Sequence, residues 1–348
     1  MKTTAITGKL SVTKVMFKVM LGLVPGIIAY VYYFGPAILV SLAIASVTAV
    51  VAEAIVLIIR RKRVWPFLSD MSALLTAWLL ALSMPPLSPW WLTVTGTLFA
   101  IVIAKHIFGG LGYNPFNPAM AGFAAALIAF PSPMSHWSPP NQIAATRVEF
   151  KDQLNHIFPE FANKAFVIDA ESMATPLDTL KVHVSTKEKI PEFTSYMPIF
   201  GNLAGKGTEM IAFAYLLGGL FLWQQRLITW HLPVAFLAVI AGLAELFHLI
   251  DSTKHASALF HLFGGATLLG AFFIVTDPVS AATTPNGKLI FAAGAAVLTF
   301  VIRVFGGYPD GVAFAVLFMN MCVPLIDGYT KPPVFGHKQK KSVREVTS

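Results

Sequence analysis

The string Glu171-Ser172-Met173-Ala174-Thr175-Pro176-Leu177-Asp178-Thr179 is the sharpest chemistry-bearing stretch of the chain. The residue before a proline is biased to extended backbone. Thr175 is therefore expected to stand outside any helix, with its hydroxyl open to a modifying enzyme. By itself the string is also a plain Thr-Pro turn. A second cluster, Asn114-Pro115-Phe116-Asn117-Pro118, follows Gly109-Gly110. Asn is a strong helix N-cap and Pro a favoured first helical residue, so Asn117 is expected to cap a helix. The same free N–H groups, beside glycines that permit close approach, suit the polar or anionic edge of a cofactor. Glu53 and Glu245 sit inside apolar runs, and Asp277 at the end of one. A carboxylate there is costly and marks a functional site by default. Glu53 lies well inside its run. It is expected either to handle a cation or to pair with a cation or hydroxyl of a neighbouring helix. His106, His248, His255 and His261 show no metal-ligating spacing beyond the weak pairing of His255 with His261, and Cys322 is the single cysteine. No metal site, disulfide or iron–sulfur cluster is expected. No Gly-x-Gly-x-x-Gly string lies on a strand–helix unit, so no dinucleotide-binding fingerprint is present.

These residues must be positioned by a very apolar chain. Of its 348 residues, 56% are hydrophobic and only 12% charged, against roughly 25% charged in a soluble domain. Mean hydropathy is +0.69. This apolar content exceeds what one globular core of this length can hide. The expected fold class is an all-α polytopic membrane protein; disorder, a collagen-like repeat and a disulfide scaffold are excluded. A spanning helix needs about 20 apolar residues. Ten spans are expected, at 16–34, 37–59, 68–84, 89–108, 116–131, 209–224, 228–250, 256–276, 287–303 and 310–327, the third, fifth and tenth short or interrupted. A cleaved signal peptide is not expected, because no small-residue cleavage site follows the long first run.

The net charge of +8 has a location. Lys2, Lys9, Lys14 and Lys18 precede or open the first span. Arg60, Arg61, Lys62 and Arg63 join the second to the third. Lys331, Lys338, Lys340, Lys341 and Arg344 form the tail. An even number of spans puts all three groups on one side, and the positive-inside rule names it the cytoplasm. The charge thus gives no support for nucleic-acid binding. The exceptional connection, 132–208, is long, polar and rich in acids, and falls outside the membrane: in the periplasm, for a Gram-negative cell. The chain divides into a first transmembrane repeat (1–131), an extracytoplasmic loop (132–208), a second repeat (209–330) and a basic cytoplasmic tail (331–348).

The two halves look alike. Each runs apolar helix, Pro-containing break, apolar helix, a cation, Phe-Gly-Gly, a Pro-containing turn, apolar helix. The cations are Lys105 and Arg303; the triplets are Phe108-Gly109-Gly110 and Phe305-Gly306-Gly307. Five spans per half make the repeats inverted, an arrangement typical of transporters with sites near the pseudo-two-fold axis. On these residues alone, a permease or channel for a small polar solute or cation is the alternative function, and a passive membrane scaffold a third.

The strings RRKR, SALLT, MPPLSPWW, FGGLGYNPFNPAM, SMATPLDT, GATLLGAFFIVTDPVSA and FGGYPDGVAFAVL together carry a resemblance over essentially the whole chain. It resembles the family shared by the D-type subunit of the Rnf ion-translocating electron-transport complex and the B-type subunit of the sodium-pumping NADH:quinone oxidoreductase. Its length and short N-terminus are more similar to the Rnf branch. The resemblance implies a membrane flavoprotein of the bacterial inner membrane. It would carry electrons within an NADH:ferredoxin-type oxidoreductase complex coupled to Na+ or H+ movement, with NADH oxidation in another subunit. It implies FMN joined by a phosphoester to the threonine of an S-x-A-T string, here Thr175, added by a flavin transferase. Met173 stands where Gly or Gln is common in related sequences. The resemblance further implies a second, non-covalent flavin such as riboflavin at the Asn114 and Asn117 positions, and cation uptake at Glu53. The implied partners are the other Rnf-type subunits, the transferase and the lipid bilayer.

Overall fold

The computed structural model describes residues 11–144, 149–161 and 173–331. Lys2, Lys9, Lys338, Lys340, Lys341, Arg344, Glu171 and Ser172 lie outside them, as does the tail beyond Lys331. The described residues form helices and no strand. The chain is an all-α polytopic membrane protein, with five helices long and apolar enough to cross a bilayer.

In the first half these elements are α1 (Val12–Phe34), α2 (Ala37–Ile59), α3 (Ser72–Ser83), α4 (Trp90–Leu98, continued as the π-helix Phe99–His106) and α5 (Pro118–Ala129). A short helix, α6 (Pro176–Ser185), lies in the long connection. The second half has α7 (Thr208–Gln224), α8 (His231–Ile250), a broken α9 (Ala258–Phe263, Thr267–Leu269 and the π-helix Gly270–Ile274), α10 (Pro285–Phe305) and α11 (Val312–Thr330). The five long ones are α1, α2, α8, α10 and α11. At 12 residues each, α3 and α5 rise only about 18 Å, short of a ~30 Å hydrocarbon core. The third expected span is thus cut short at both ends. Met71 at its start is left-handed, and Met84-Pro85-Pro86 ends it.

The ends of these helices follow local chemistry. Ser11, Asn117 and Thr284 each cap a helix by accepting from the backbone N–H three residues on. Successive apolar helices then alternate in direction. Arg60 donates to His106 O, and Lys18 to Gln225 Oε1, at one end of the bundle. The described parts of the 132–208 connection pack on the other. There Gln153 Oε1 accepts from Ala37 N at the start of α2, and Trp90 Nε1 donates to Glu160.

The two halves repeat one packing scheme. In each, the first helix packs on the third, the second on the third and fourth, and the fourth on the fifth. Between halves, first meets first (α1 with α7) and fifth meets fifth (α5 with α11), as a pseudo-two-fold axis requires. The α1–α7 contact is close because it is glycine on glycine: a methyl group at Gly218 would overlap the carbonyl of Gly22. Small residues let helix backbones approach in this way, where lipid offers no hydrophobic drive for helix association. The outer surface keeps Ile28, Val47, Ile55, Leu249 and Leu325 exposed, which suits lipid or a partner subunit.

Candidate functional site

Thr175 is the N-cap of α6. Its backbone is extended (φ −67°, ψ 161°), and Pro176 opens the helix. A capping box closes the turn: Asp178 N donates to Thr175 Oγ1 at 3.2 Å, and Thr175 N donates to Asp178 Oδ2 at 3.3 Å. The hydroxyl also donates to Asp178 Oδ2 at 2.7 Å. Such a box satisfies helix-end donors in both directions. The extended conformation expected of Thr175 is present, and the side chain is half-buried.

Three contacts anchor this turn. Met173 N donates to Trp137 O at 2.8 Å. Leu177 belongs to a small apolar cluster with Phe193, Phe200 and Phe260, and Met173 packs against it. That packing gives the methionine a physical role. On the next turn, Lys181 Nζ donates to Tyr308 O at 2.7 Å and to Ile302 O at 3.3 Å, at the C-terminal end of α10. A cation is favourable at a helix C-terminus. Burial pushes the Lys181 ammonium below its ordinary value, and nearby Asp178 opposes that shift.

Thr175 borders a cavity of about 210 Å³. Its walls come from both halves: Tyr30 and Phe123 from the first, Tyr215, Leu269 and Val312 from the second. The polar lining includes Asp178, Lys206, Ser138 and Asp310. Asp310 in turn accepts from Arg303 Nη2 at 3.0 Å and from Ala266 N at 2.7 Å. Arg303 Nη1 also donates to His261 O at 2.9 Å. The buried guanidinium thereby satisfies carbonyls freed where α9 breaks at Gly264-Gly265. Buried non-helical backbone requires such partners.

Asn114 and Asn117 line a second cavity, about 100 Å³, with Lys105, Ser72, Thr276 and Asp277. It lies at the Arg60 end of the bundle. Asn117 caps α5 by accepting from Met120 N at 3.2 Å. Its own N–H donates to Asn320 Oδ1 at 3.0 Å, and Asn320 Nδ2 donates to Ser280 O. Asn117 therefore also joins the two halves. Asn114 Nδ2 donates to Phe116 O within its own turn.

Glu53 is buried on α2. Its Oε1 accepts from Lys105 Nζ at 2.6 Å and lies 3.0 Å from His106 Nε2, while its Oε2 has no partner. Lys105 Nζ also donates to Ser72 Oγ at 2.8 Å. The structure thus brings Glu53 to the first-half cation, and through Lys105 to the edge of the second cavity. Glu245 is not buried; it is exposed on α8 and accepts from Ala258 N. Asp277 accepts from Val279 N and Ser280 Oγ in a local turn. No group of three or more metal-ligating side chains exists among the described residues.

Tyr215, Ser138, Lys206 and the Lys181 tether escape a sequence reading. A tyrosine in an apolar helix has no distinguishing spacing. The paired cations Lys105 and Arg303 are the one available signal for the two buried networks.

Comparison with known proteins decides the family. The NQR2, RnfD, RnfE family matches residues 2–336. The chain belongs to the NQR2, RnfD, RnfE family. It is 50% identical over 336 residues to the D-type subunit of the ion-translocating oxidoreductase complex of Yersinia pseudotuberculosis, covering 94% of this chain and 95% of that one. To the protein of that name in Aliivibrio salmonicida it is 49% identical over 338 residues, covering 95% and 96%. The Salmonella paratyphi B protein of that name is 49% identical over 334 residues, covering 94% and 95%. The match to the NQR2, RnfD, RnfE family runs across both halves and the connection that carries Thr175.

Proposed function

We propose that this chain is the flavin-bearing membrane subunit of an ion-translocating oxidoreductase complex, with FMN joined through a phosphoester to Thr175. One observation carries the reading: the hydroxyl of Thr175, at a helix N-cap, borders a cavity between the two halves. The residues fit the group. The N-terminus of α6 favours a phosphate, Lys206 lines the same cavity and supplies a cation, and the apolar walls suit a planar ring. Asp178 Oδ2, which accepts the hydroxyl's hydrogen bond at 2.7 Å, is placed to take its proton as Oγ1 bonds to the phosphorus of the transferase's flavin nucleotide donor and the donor's other phosphate departs. FMN supplies one- and two-electron chemistry, and the protein supplies attachment, orientation and electrostatics. A covalent link keeps FMN from being lost to solution.

The second cavity, with Asn114 and Asn117, would hold a non-covalent flavin such as riboflavin. Its polar edge would meet Asn114, Lys105 and the start of α5. Glu53 would serve cation uptake, Na+ or H+, through Oε2, the oxygen that Lys105 and His106 leave unpartnered. In this reading the ten apolar helices are ten crossings of a bacterial inner membrane. Both termini face the cytoplasm and the 132–208 connection faces the periplasm, where a flavin transferase reaches Thr175. Electrons would pass to and from the other subunits of the complex, which would also hold the NADH-oxidising site.

The test is in-gel fluorescence of the full chain from cells that possess a flavin transferase. A band fluorescent in the natural protein and dark in Thr175→Ala supports the proposal. A dark band from the natural protein would sink it, and mass spectrometry of the Thr175 peptide identifies the adduct.

A further inference from the structure

Few buried polar side-chain atoms of the described residues lack a partner, and two of them, Tyr215 Oη and Ser138 Oγ, belong to residues lining the Thr175 cavity. A buried hydroxyl without a partner costs about 1–3 kcal/mol, so each such group needs a reason. Tyr215 is only 4% exposed. Its ring is packed on one face against α1. A methyl group at Gly26 on α1 would overlap it, so the tyrosine lies against the helix in the gap that Gly26 leaves. Phe273 braces it at 6.1 Å with an interplanar angle of 67°. The neighbouring cavity walls, Tyr30, Ala212, Ile211 and Leu269, add apolar surface. A ligand suited to this space is flat, apolar on both faces, and carries a hydrogen-bonding atom at its edge.

We infer that Tyr215 is a ring-binding residue: its Oη donates to an edge carbonyl oxygen or nitrogen of the isoalloxazine tethered to Thr175. The inference rests on the proposed attachment of FMN to that threonine. Thr175 and Tyr215 line the same cavity, so the tether and the hydroxyl share one space. Ser138, beside Trp137 and its bond to Met173, offers a second hydroxyl to the same ligand. A hydrogen bond to an atom that gains electron density on reduction strengthens in the reduced state, so Tyr215 raises the flavin's midpoint potential. The reason for Gly26 follows as well, since any larger residue there would displace the tyrosine.

The full chain is prepared from transferase-containing cells as the natural protein, Tyr215→Phe and Thr175→Ala. Tyr215→Phe is expected to keep its fluorescent band on a denaturing gel. In the folded state its visible absorption should shift and its midpoint potential fall, by about tenfold in the oxidation equilibrium, or about 30 mV for a two-electron couple. Ala212→Leu narrows the cavity without removing the hydroxyl; it is expected to keep the band and give the spectrum of a solvent-exposed flavin. A dark band in the natural protein overturns the Thr175 reading, and the inference with it. A fluorescent Tyr215→Phe with unchanged spectrum and potential overturns the inference alone. Binding of a free quinone by Thr175→Ala, weakened by adding Tyr215→Phe, would assign the cavity to a different ring and overturn it too.

Discussion

Lys105 Nζ and Glu53 Oε1, on different helices, meet at 2.6 Å inside the first half. Both side chains are 2% exposed. Desolvating such a pair is expensive, and their attraction repays it only while both partners are present. Ser72 Oγ and His106 Nε2 complete most of the network.

Lys105→Met should therefore destabilise the folded protein by about 3–5 kcal/mol, because it strands a buried carboxylate. The double variant Lys105→Met/Glu53→Gln should recover most of that loss. Thermal unfolding in detergent across the four-member cycle checks this. In the assembled complex, Glu53→Gln should abolish cation translocation, and size-exclusion chromatography of the variant complex separates this from the stability cost of a stranded Lys105. Translocation at the natural rate would leave Glu53 a packing residue.

At Thr175 the serine variant should keep both the cap and the flavin, since a hydroxyl remains at the same place. Thr175→Ala should lose the flavin and also about 1 kcal/mol of cap stability at α6. Denaturing-gel fluorescence reads the first effect. Hydrogen exchange of the 176–185 backbone reads the second.

Asp178→Asn should slow labelling of Thr175 more than tenfold in a time course with purified transferase. The amide can retain part of the capping box, yet it is a far weaker proton acceptor than the carboxylate that now holds the hydroxyl at 2.7 Å. An unchanged labelling rate would reduce Asp178 to a helix cap.

Asn117→Ala should cost about 1 kcal/mol as a lost N-cap and lower the acid-extractable flavin content. Asn320→Ala should loosen the join between halves while leaving the cap intact. Chromatography of released flavin distinguishes the two. Equal and full flavin content in both variants would remove Asn117 from the second site.

Arg303→Lys should destabilise by about 2–3 kcal/mol, the order of charge-assisted hydrogen bonds lost from a buried site. A lysine cannot present the guanidinium fork that serves His261 O, Gly264 O and Asp310 together. Thermal unfolding measures the loss. Faster proteolysis near Gly264-Gly265 should accompany it.

Local signals decided much of this protein before any folding. The apolar runs, spaced and flanked by cations, carried the helical membrane class. Asn117-Pro118 carried a cap because capping depends on residues within one turn. Thr175-Pro176 carried an extended residue outside any helix, because a proline restricts the residue before it; its role as the N-cap of α6 came from the structure. The doubled Phe-Gly-Gly strings carried the internal likeness of the halves. Helix lengths were less legible. The break at Met84-Pro85-Pro86 was visible, but the left-handed Met71 that shortens α3 depends on how its turn meets its neighbours.

Distance in sequence hid the rest. Glu53 meets Lys105 across 52 positions, Asn117 meets Asn320 across 203, and Lys181 meets Tyr308 across 127. No local periodicity encodes such pairs, because each is set by which helices pack and at what depth. The cavity beside Thr175 is of the same kind. The string that carries the threonine is local, but its apolar walls, the glycine-backed Tyr215 and the cation at Lys206 come from both halves and the connection between them. The residue types were written in the chain; the choice of which buried polar atoms find partners, and which are left facing a cavity, was made by tertiary packing.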